Sequence, residues 1–311
     1  MDRLRIVFMG TPGFAKPSLR ALCDSSHDVV AVVTNPDAPK GRGQKTGVSP
    51  VKQFALERGL ALIQPMSLAA HEFHGQLAAL HADLFVVVAF RILPMHVVAL
   101  PRLGSINVHA SLLPRYRGAA PIQWAIINGE TRTGITVFFL DRVVDGGEII
   151  RQVPVDIGAD ETAGELSLRL QEIGAQALVD SVDGIAAGSM RRAEQDGSAA
   201  CKAPKIGKDD CRIDFTRSAR EIYNFIRGFT PAPGAWTTLN GKRIMVAKAA
   251  CFQGASGTPG AIVAVKENGI DVATGEGVIR IIRLKPENRQ EMAVEDFVNG
   301  YRIQENHRFG G

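Results

Sequence analysis

The stretch ADLFVVVAFRILPMHVVALPRLGSINVHASLLPRYRG (82–118) decides the fold. Residues 82–90 are apolar on both faces instead of alternating. That pattern belongs to a strand of a parallel sheet covered on both sides. SINVHA (105–110) reads as the next strand. Working outward, LRIVFM (4–9) is a buried strand that ends in Gly10-Thr11-Pro12-Gly13, and FAKPSLRALCD reads as a helix. DVVAVVTNP (28–36) is another apolar strand. SPVKQFALERGL has helical spacing after Ser49, with Pro50 in the first turn, and LALIQP is a short strand. GITVFFLD and GEIIRQVPVDI are two further strands around the loop RVVDGG (142–147). Strands alternating with helices predict a doubly wound α/β domain with a mostly parallel sheet.

Downstream, Thr162-Ala163-Gly164-Glu165 is a capping box. Leu166, Leu170, Ile173 and Ala177 follow at helical spacing, so a long helix is expected. Residues 190–206, MRRAEQDGSAACKAPKI, show no periodicity and read as a linker. We therefore expect a catalytic domain over 1–189, a linker over 190–206 and a C-terminal domain over 207–311. In the last, SAREIYNFIRGF is a helix. TPAPGAWTTL, KRIMVAKA, GAIVAVKE and GIDVATGEGVIRIIRLKP are short strands with glycine-bearing turns, which predicts a small OB-like β-barrel.

Composition narrows the class. The 311 residues are 45% hydrophobic and 22% charged, ordinary for a globular protein, so disorder is not indicated. No run is apolar enough to span a bilayer, and MDRLRIVFMGTPGF does not read as a signal peptide. The expectation is a cytoplasmic protein without a membrane partner. Cys23, Cys201, Cys211 and Cys251 have no C-x-x-C spacing, which suggests neither a disulfide framework nor a zinc site. His71 and His74 share a helix face but lack a third ligand, so they read as surface residues and no metal is expected. Residues 201–311 hold 17 Lys and Arg against 12 Asp and Glu, in a chain of net charge +4. A basic C-terminal third fits a polyanionic partner without proving one.

The chemistry concentrates in residues 104–147. Asn107 and His109 are two apart on a strand, so their side chains share a face. Parallel sheets hold ligands at the carboxyl ends of their strands. Asn supplies a donor for a developing oxyanion, and His exchanges a proton near neutral pH. An isolated N-x-H more often marks polar residues satisfied at a sheet edge. Here, though, the donor-rich turn Ser111–Gly118 follows it, and a second loop carries Asp145. Asn, His and Asp without a Ser or Cys nucleophile suit a reaction whose nucleophile comes from the substrate.

N-V-H-A-S-L-L-P-R-Y-R-G (107–118) with D-G-G (145–147) resembles the folate-dependent formyltransferases. R-G-A-A-P-I-Q (117–123), F-M-G-T-P-G-F-A (8–15), the loop G-R-G-Q-K with S-P-V-K (41–52), K-I-G-K-D-D-C-R-I-D-F (205–215) and F-T-P-A-P-G-A-W-T (229–237) are similar to the branch whose acceptor is methionyl-tRNA. The resemblance covers nearly the whole chain. It implies 10-formyltetrahydrofolate as co-substrate and catalytic roles for Asn107, His109 and Asp145. From the chemistry we expect Asn107 and a protonated His109 to stabilise the oxyanion, and Asp145 to keep His109 charged and help move a proton. The resemblance also implies a folate site lined by Ser111, Leu112, Leu113 and Pro114, with Phe90, Arg91 and Leu93 at the pterin through the backbone of Arg91 and Leu93.

Phe90-Arg91-Ile92-Leu93 departs from the Tyr-Gly-x-Ile-Leu-Pro usual in that branch and is similar to the glycinamide ribonucleotide branch. Gly146 stands where Thr, Ser or Ala is usual. The tRNA acceptor implies phosphate contacts from Arg42, Lys40 and Lys45 in one loop and from Lys205 and Lys208 further on. Most such basic clusters are simply solvated. We expect a monomer. Three other readings stay open: a formyltransferase of an amino-sugar nucleotide, a binding module without turnover, and a hydrolase releasing formate.

Overall fold

A computed structural model describes residues 3–40, 45–254, 257–305 and 307–310. The chain divides into two compact units. The first comprises residues 1–118, 133–156 and 167–203, and the second 119–132, 157–166 and 204–311.

The apolar runs of the first half become β1 (Arg5–Gly10), α1 (Lys16–Cys23), β2 (Asp28–Val33), β3 (Ala38–Lys40), β4 (Lys45–Gly47), α2 (Pro50–Glu57) and β5 (Leu62–Ile63). They are followed by α3 (His71–Ala79), β6 (Leu84–Val88), α4 (Met95–Val98), β7 (Ser105–His109), α5 (Pro121–Ile127), β8 (Arg132–Phe139), β9 (Ile149–Asp156) and α6 (Ala163–Ala186). Seven of the strands form one sheet in the order β5-β2-β1-β6-β7-β8-β9. β1 runs parallel to β2 and β6, and β6 parallel to β7, while β7 and β8 are antiparallel. Ile6, Val7, Phe8 and Met9 are all fully buried, as two-sided coverage requires. Each such side chain contributes about 1.5–3 kcal/mol. Gly10 ends β1 because nothing larger fits: an added Cβ would lie 2.8 Å from the Ala15 Cβ and 2.9 Å from the Val88 carbonyl oxygen.

The helix starts follow capping chemistry. Ser49 Oγ accepts from the Lys52 N–H, and Pro50 sits where no donor is needed. Thr162 and Glu165 bond reciprocally at the start of α6. The Gly-rich basic segment differs from a plain loop: its flanks β3 and β4 pair antiparallel, with Lys40 opposite Lys45. Arg42 lies outside the described residues.

The unpatterned stretch after α6 is bound to the first unit up to residue 203. Ile149 and Ala193 exchange both backbone hydrogen bonds, at 2.8 and 2.9 Å. The Arg117 N–H donates to the Cys201 carbonyl (2.9 Å) and the Ala203 N–H to that of Arg117 (2.7 Å).

In the second unit, Ser218 and Glu221 form a capping box that opens α7 (Ala219–Gly228). Then come β10 (Trp236–Leu239), β11 (Lys242–Phe252), β12 (Ile262–Lys266), β13 (Gly269–Ala273), β14 (Val278–Pro286), β15 (Met292–Ala293) and α8 (Val294–Tyr301). The strands order as β10-β11-β14-β13-β12, antiparallel, with β15 on β14. Phe215, Ile222, Phe229, Ile279, Leu284 and Phe297 are among the residues of its core. The architecture is thus a parallel-rich α/β domain followed by a small antiparallel barrel domain. Two details depart from the sequence reading. The strand expected over 230–239 begins only at Trp236, because Pro231 and Pro233 have no N–H for a ladder. Helices α4, α5 and α8 and the short strand β15 were not anticipated.

Candidate active site

The site is built where β6, β7 and β8 lie side by side. Val87 pairs with Asn107, and His109 pairs with Thr136. Asn107 Oδ1 is buried and meets no hydrogen-bonding partner among the described residues. An orphaned buried acceptor is costly in a resting protein, so a donor brought by a ligand would be stabilised there.

His109 is only 6% exposed. Its Nε2 donates to the Tyr116 carbonyl at 2.8 Å, and its ring meets Phe138 edge-on. That bond commits one ring nitrogen. The other, Nδ1, lies 3.9 Å from Asp145 Oδ2, too far for a direct hydrogen bond. In the neutral ring Nδ1 therefore carries the lone pair and faces the carboxylate across a gap. Burial pushes the His109 pKa below the ordinary histidine value, while the Asp145 charge and the Tyr116 carbonyl pull the other way without overcoming it. This revises the expectation of a resident imidazolium. In the free protein the ring favours the neutral form, because desolvation outweighs the facing charge.

Asp145 sits in the left-handed region at φ 54°, which Asp tolerates better than most residues. Its Oδ2 accepts from the Gly118 N–H at 2.8 Å. Gly118 has φ 127°, and a Cβ there would come within 2.5 Å of the Ala203 carbonyl oxygen. The turn thus delivers two fixing groups two residues apart: the Tyr116 carbonyl for His109 and the Gly118 amide for Asp145.

The stretch 111–114 is held from below. The Thr136 hydroxyl donates to the Ser111 carbonyl (2.7 Å) and accepts from the Leu113 N–H (3.1 Å). Gln152 Nε2 donates to the Leu113 carbonyl (2.8 Å) and to Thr136 Oγ1 (3.1 Å). The Ser111 hydroxyl donates to the Arg115 carbonyl at 2.6 Å. Ser111 and Leu113 are buried, whereas Leu112 and Pro114 keep exposed surface. Thr136 and Gln152 are supporting residues that the sequence reading missed. Each is one polar residue in an otherwise ordinary strand, and only the register shows what it faces.

The chain leaving β6 carries Phe90, Arg91 and Leu93. Arg91 donates to the carbonyls of Pro65 (2.9 Å) and Met66 (3.3 Å), its guanidinium lies 5.4 Å from the Phe90 ring centroid, and Leu93 is buried. The Arg91 side chain thus ties this segment to the stretch after β5. In the second unit Lys205 and Lys208 are exposed. The Lys208 carbonyl accepts from Trp236 Nε1, and Arg243 stacks 4.3 Å from the Trp236 ring. Among the described residues no cluster of three or more His, Cys, Asp or Glu is placed to hold a metal.

Comparison with known proteins places the chain. Residues 4–182 match the model of the formyl transferase family, and residues 205–302 that of the formyl transferase C-terminal domain. The methionyl-tRNA formyltransferase of Geobacter metallireducens is 46% identical over 311 residues, covering 100% of both chains. That of Ectopseudomonas mendocina is 48% identical over 304 residues, 97% of this chain and 96% of that protein. Among solved structures, WlaRD, a sugar 3N-formyl transferase, superposes with a TM-score of 0.68 at 20% identity over 93% of this chain and 100% of its own. HypX from Aquifex aeolicus in complex with tetrahydrofolic acid does so with a TM-score of 0.65 at 16% identity, over 96% of this chain and 47% of that one. At these identities the structures share the fold.

Proposed function

From the premise that the chain belongs to the formyl transferase family, we propose how its residues carry out the reaction. The protein formylates the α-amino group of methionyl-tRNA, drawing the formyl group from a folate-derived donor. We take that donor to be 10-formyltetrahydrofolate. An α-amine has a pKa of about 7.7–8.0, so near neutrality much of it is protonated and unreactive. The free amine attacks the formyl carbon and gives a tetrahedral adduct with an oxyanion and a positively charged nitrogen. The Asn107 side-chain NH₂ donates to the oxyanion, while its unpartnered Oδ1 is left to a donor on the substrate. Neutral His109 accepts the nitrogen's proton at Nδ1, the ring atom that the Tyr116 bond leaves free. Asp145 stabilises the imidazolium so formed. The proton then passes to N10 as the C–N10 bond breaks, releasing tetrahydrofolate and N-formylmethionyl-tRNA.

In this reading Leu112 and Pro114, with the backbone of Arg91 and Leu93, border the folate. Arg42, Lys40, Lys45, Lys205 and Lys208 contribute to the tRNA footprint. The single observation that carries the chemistry is the open Nδ1 of His109 facing Asp145 across 3.9 Å, on the strand that also presents the unpartnered Oδ1 of Asn107. The test is to supply 10-formyltetrahydrofolate labelled in its formyl group with methionyl-tRNA and, separately, with an amino-sugar nucleotide. Label in the tRNA alone supports the reading. Label in the sugar alone overturns the acceptor and keeps the chemistry.

A further inference from the structure

We propose that Gln195 is a positioning residue that sets the distance between Asp145 and His109. It rests on the catalytic reading above. The primary amide offers two donor hydrogens and two acceptor lone pairs, and all four are used. Nε2 donates to the carbonyls of Asp145 (3.0 Å) and Gly147 (2.8 Å). Oε1 accepts from Arg117 Nε (3.2 Å) and from its terminal NH₂ (2.7 Å). The bonds leave the amide one orientation, since a flip would set its oxygen against two carbonyls and its NH₂ against a guanidinium.

The residues it joins are the ones that matter. Arg117 lies between Tyr116, whose carbonyl holds His109 Nε2, and Gly118, whose amide holds Asp145 Oδ2. Gln195 therefore grips the turn that fixes the histidine with one end and the loop that fixes the aspartate with the other. Gln195 ties the backbone of that loop at two points, the carbonyls of Asp145 and Gly147, on the stretch where Asp145 holds its left-handed φ of 54°. The Gly118 amide joins the two loops through the Asp145 side chain, and Gln195 joins them through the Asp145 and Gly147 carbonyls; a displacement of about 1 Å at a reacting group costs on the order of 10²-fold in rate.

Two substitutions separate the halves of the grip. Gln195→Met keeps the approximate length and loses all four bonds. Gln195→Glu keeps acceptors for Arg117, removes the donors to the Asp145 loop and sets a carboxylate oxygen against its two carbonyls. If Gln195 positions Asp145, both variants lose about 10–100-fold in kcat, with KM for methionyl-tRNA and for the folate within about threefold of wild type. The third arm is Asp145→Ala alone and combined with Gln195→Met. A residue that works through Asp145 adds nothing once Asp145 is gone, so the double variant should match Asp145→Ala. Wild-type kcat in Gln195→Glu, or fully multiplicative losses in the double variant, overturns the inference. Failure of the wild-type protein to formylate methionyl-tRNA overturns instead the acceptor assignment, so the two failures are told apart.

Discussion

Thr136→Val is the sharpest test of how the site is held. The substitution swaps a buried hydroxyl for a methyl of nearly the same size, so no cavity opens. Thr136 is wholly buried, and its hydroxyl satisfies the Leu113 N–H and the Ser111 carbonyl at once. Gln152 keeps its bond to the Leu113 carbonyl. Two backbone groups are then left without partners, each at about 1–3 kcal/mol. Allowing for some relaxation, the loss is about 2–4 kcal/mol. At about 2–4 °C per kcal/mol for a unit of this size, Tm should fall by about 5–15 °C. Because His109 lies directly opposite Thr136, kcat should fall as well, about tenfold or more. Thr136→Ser, which retains the hydroxyl, should recover most of both. Calorimetry and steady-state formylation measure the two quantities. A Thr136→Val protein that melts within about 2 °C of wild type would falsify the assignment of this hydroxyl as the support of the turn.

Other predictions follow from the same geometry. Asn107→Ala should lose about 10²–10³-fold in kcat while its denaturation midpoint holds or rises, since it deletes an orphaned buried acceptor; a clear drop in stability would show that the amide has a structural partner. Burial lowers the His109 pKa, so as pH falls through the ordinary histidine value of about 6.5 the unfolded chain takes up a proton that the folded one resists. Stability should therefore fall as pH is lowered through that range, and His109→Asn should remove this component. Urea titrations of both proteins between pH 5 and 8 check the sign, and an equal slope in the two proteins refutes it. Arg243→Ala, which removes the cation stacked on Trp236, should weaken methionyl-tRNA binding and reduce its salt slope by about 1 with kcat unchanged. Arg243 is taken to act beside Lys208, whose carbonyl holds the same Trp236, and an unaltered slope would show that Arg243 contacts no phosphate.

The parallel sheet was legible because buried strands announce themselves: 84–88 is apolar throughout and buried throughout. Asn107 and His109 were legible because they break an apolar strand at its end. The supports of the site were not. Gln195 and Cys201 act in a segment without periodicity, since its order comes from backbone bonds to Ile149 and Arg117 and not from an apolar face. Periodic patterns report burial and say nothing about such bonds. The protonation of His109 also escaped the sequence, because it depends on how deeply the ring is buried. Helix α5 is only seven residues long and opens on Pro121, so it has little periodicity to show, although Pro at a first-turn position is compatible with a helix start.

The bracing of the 116–118 turn by residues 193–203 also bears on how the molecule is made. Asp145 leaves the ribosome roughly 3–12 s before residue 203, and Asn107 and His109 roughly 5–19 s before it, at 5–20 residues per second. A nascent chain that stops at residue 182, where the first family match ends, holds every reacting group and none of the clasp. On the catalytic reading proposed above, the site is aligned only once residues 193–203 are made, so a product truncated before them carries Asn107, His109 and Asp145 without the bonds that brace the turn.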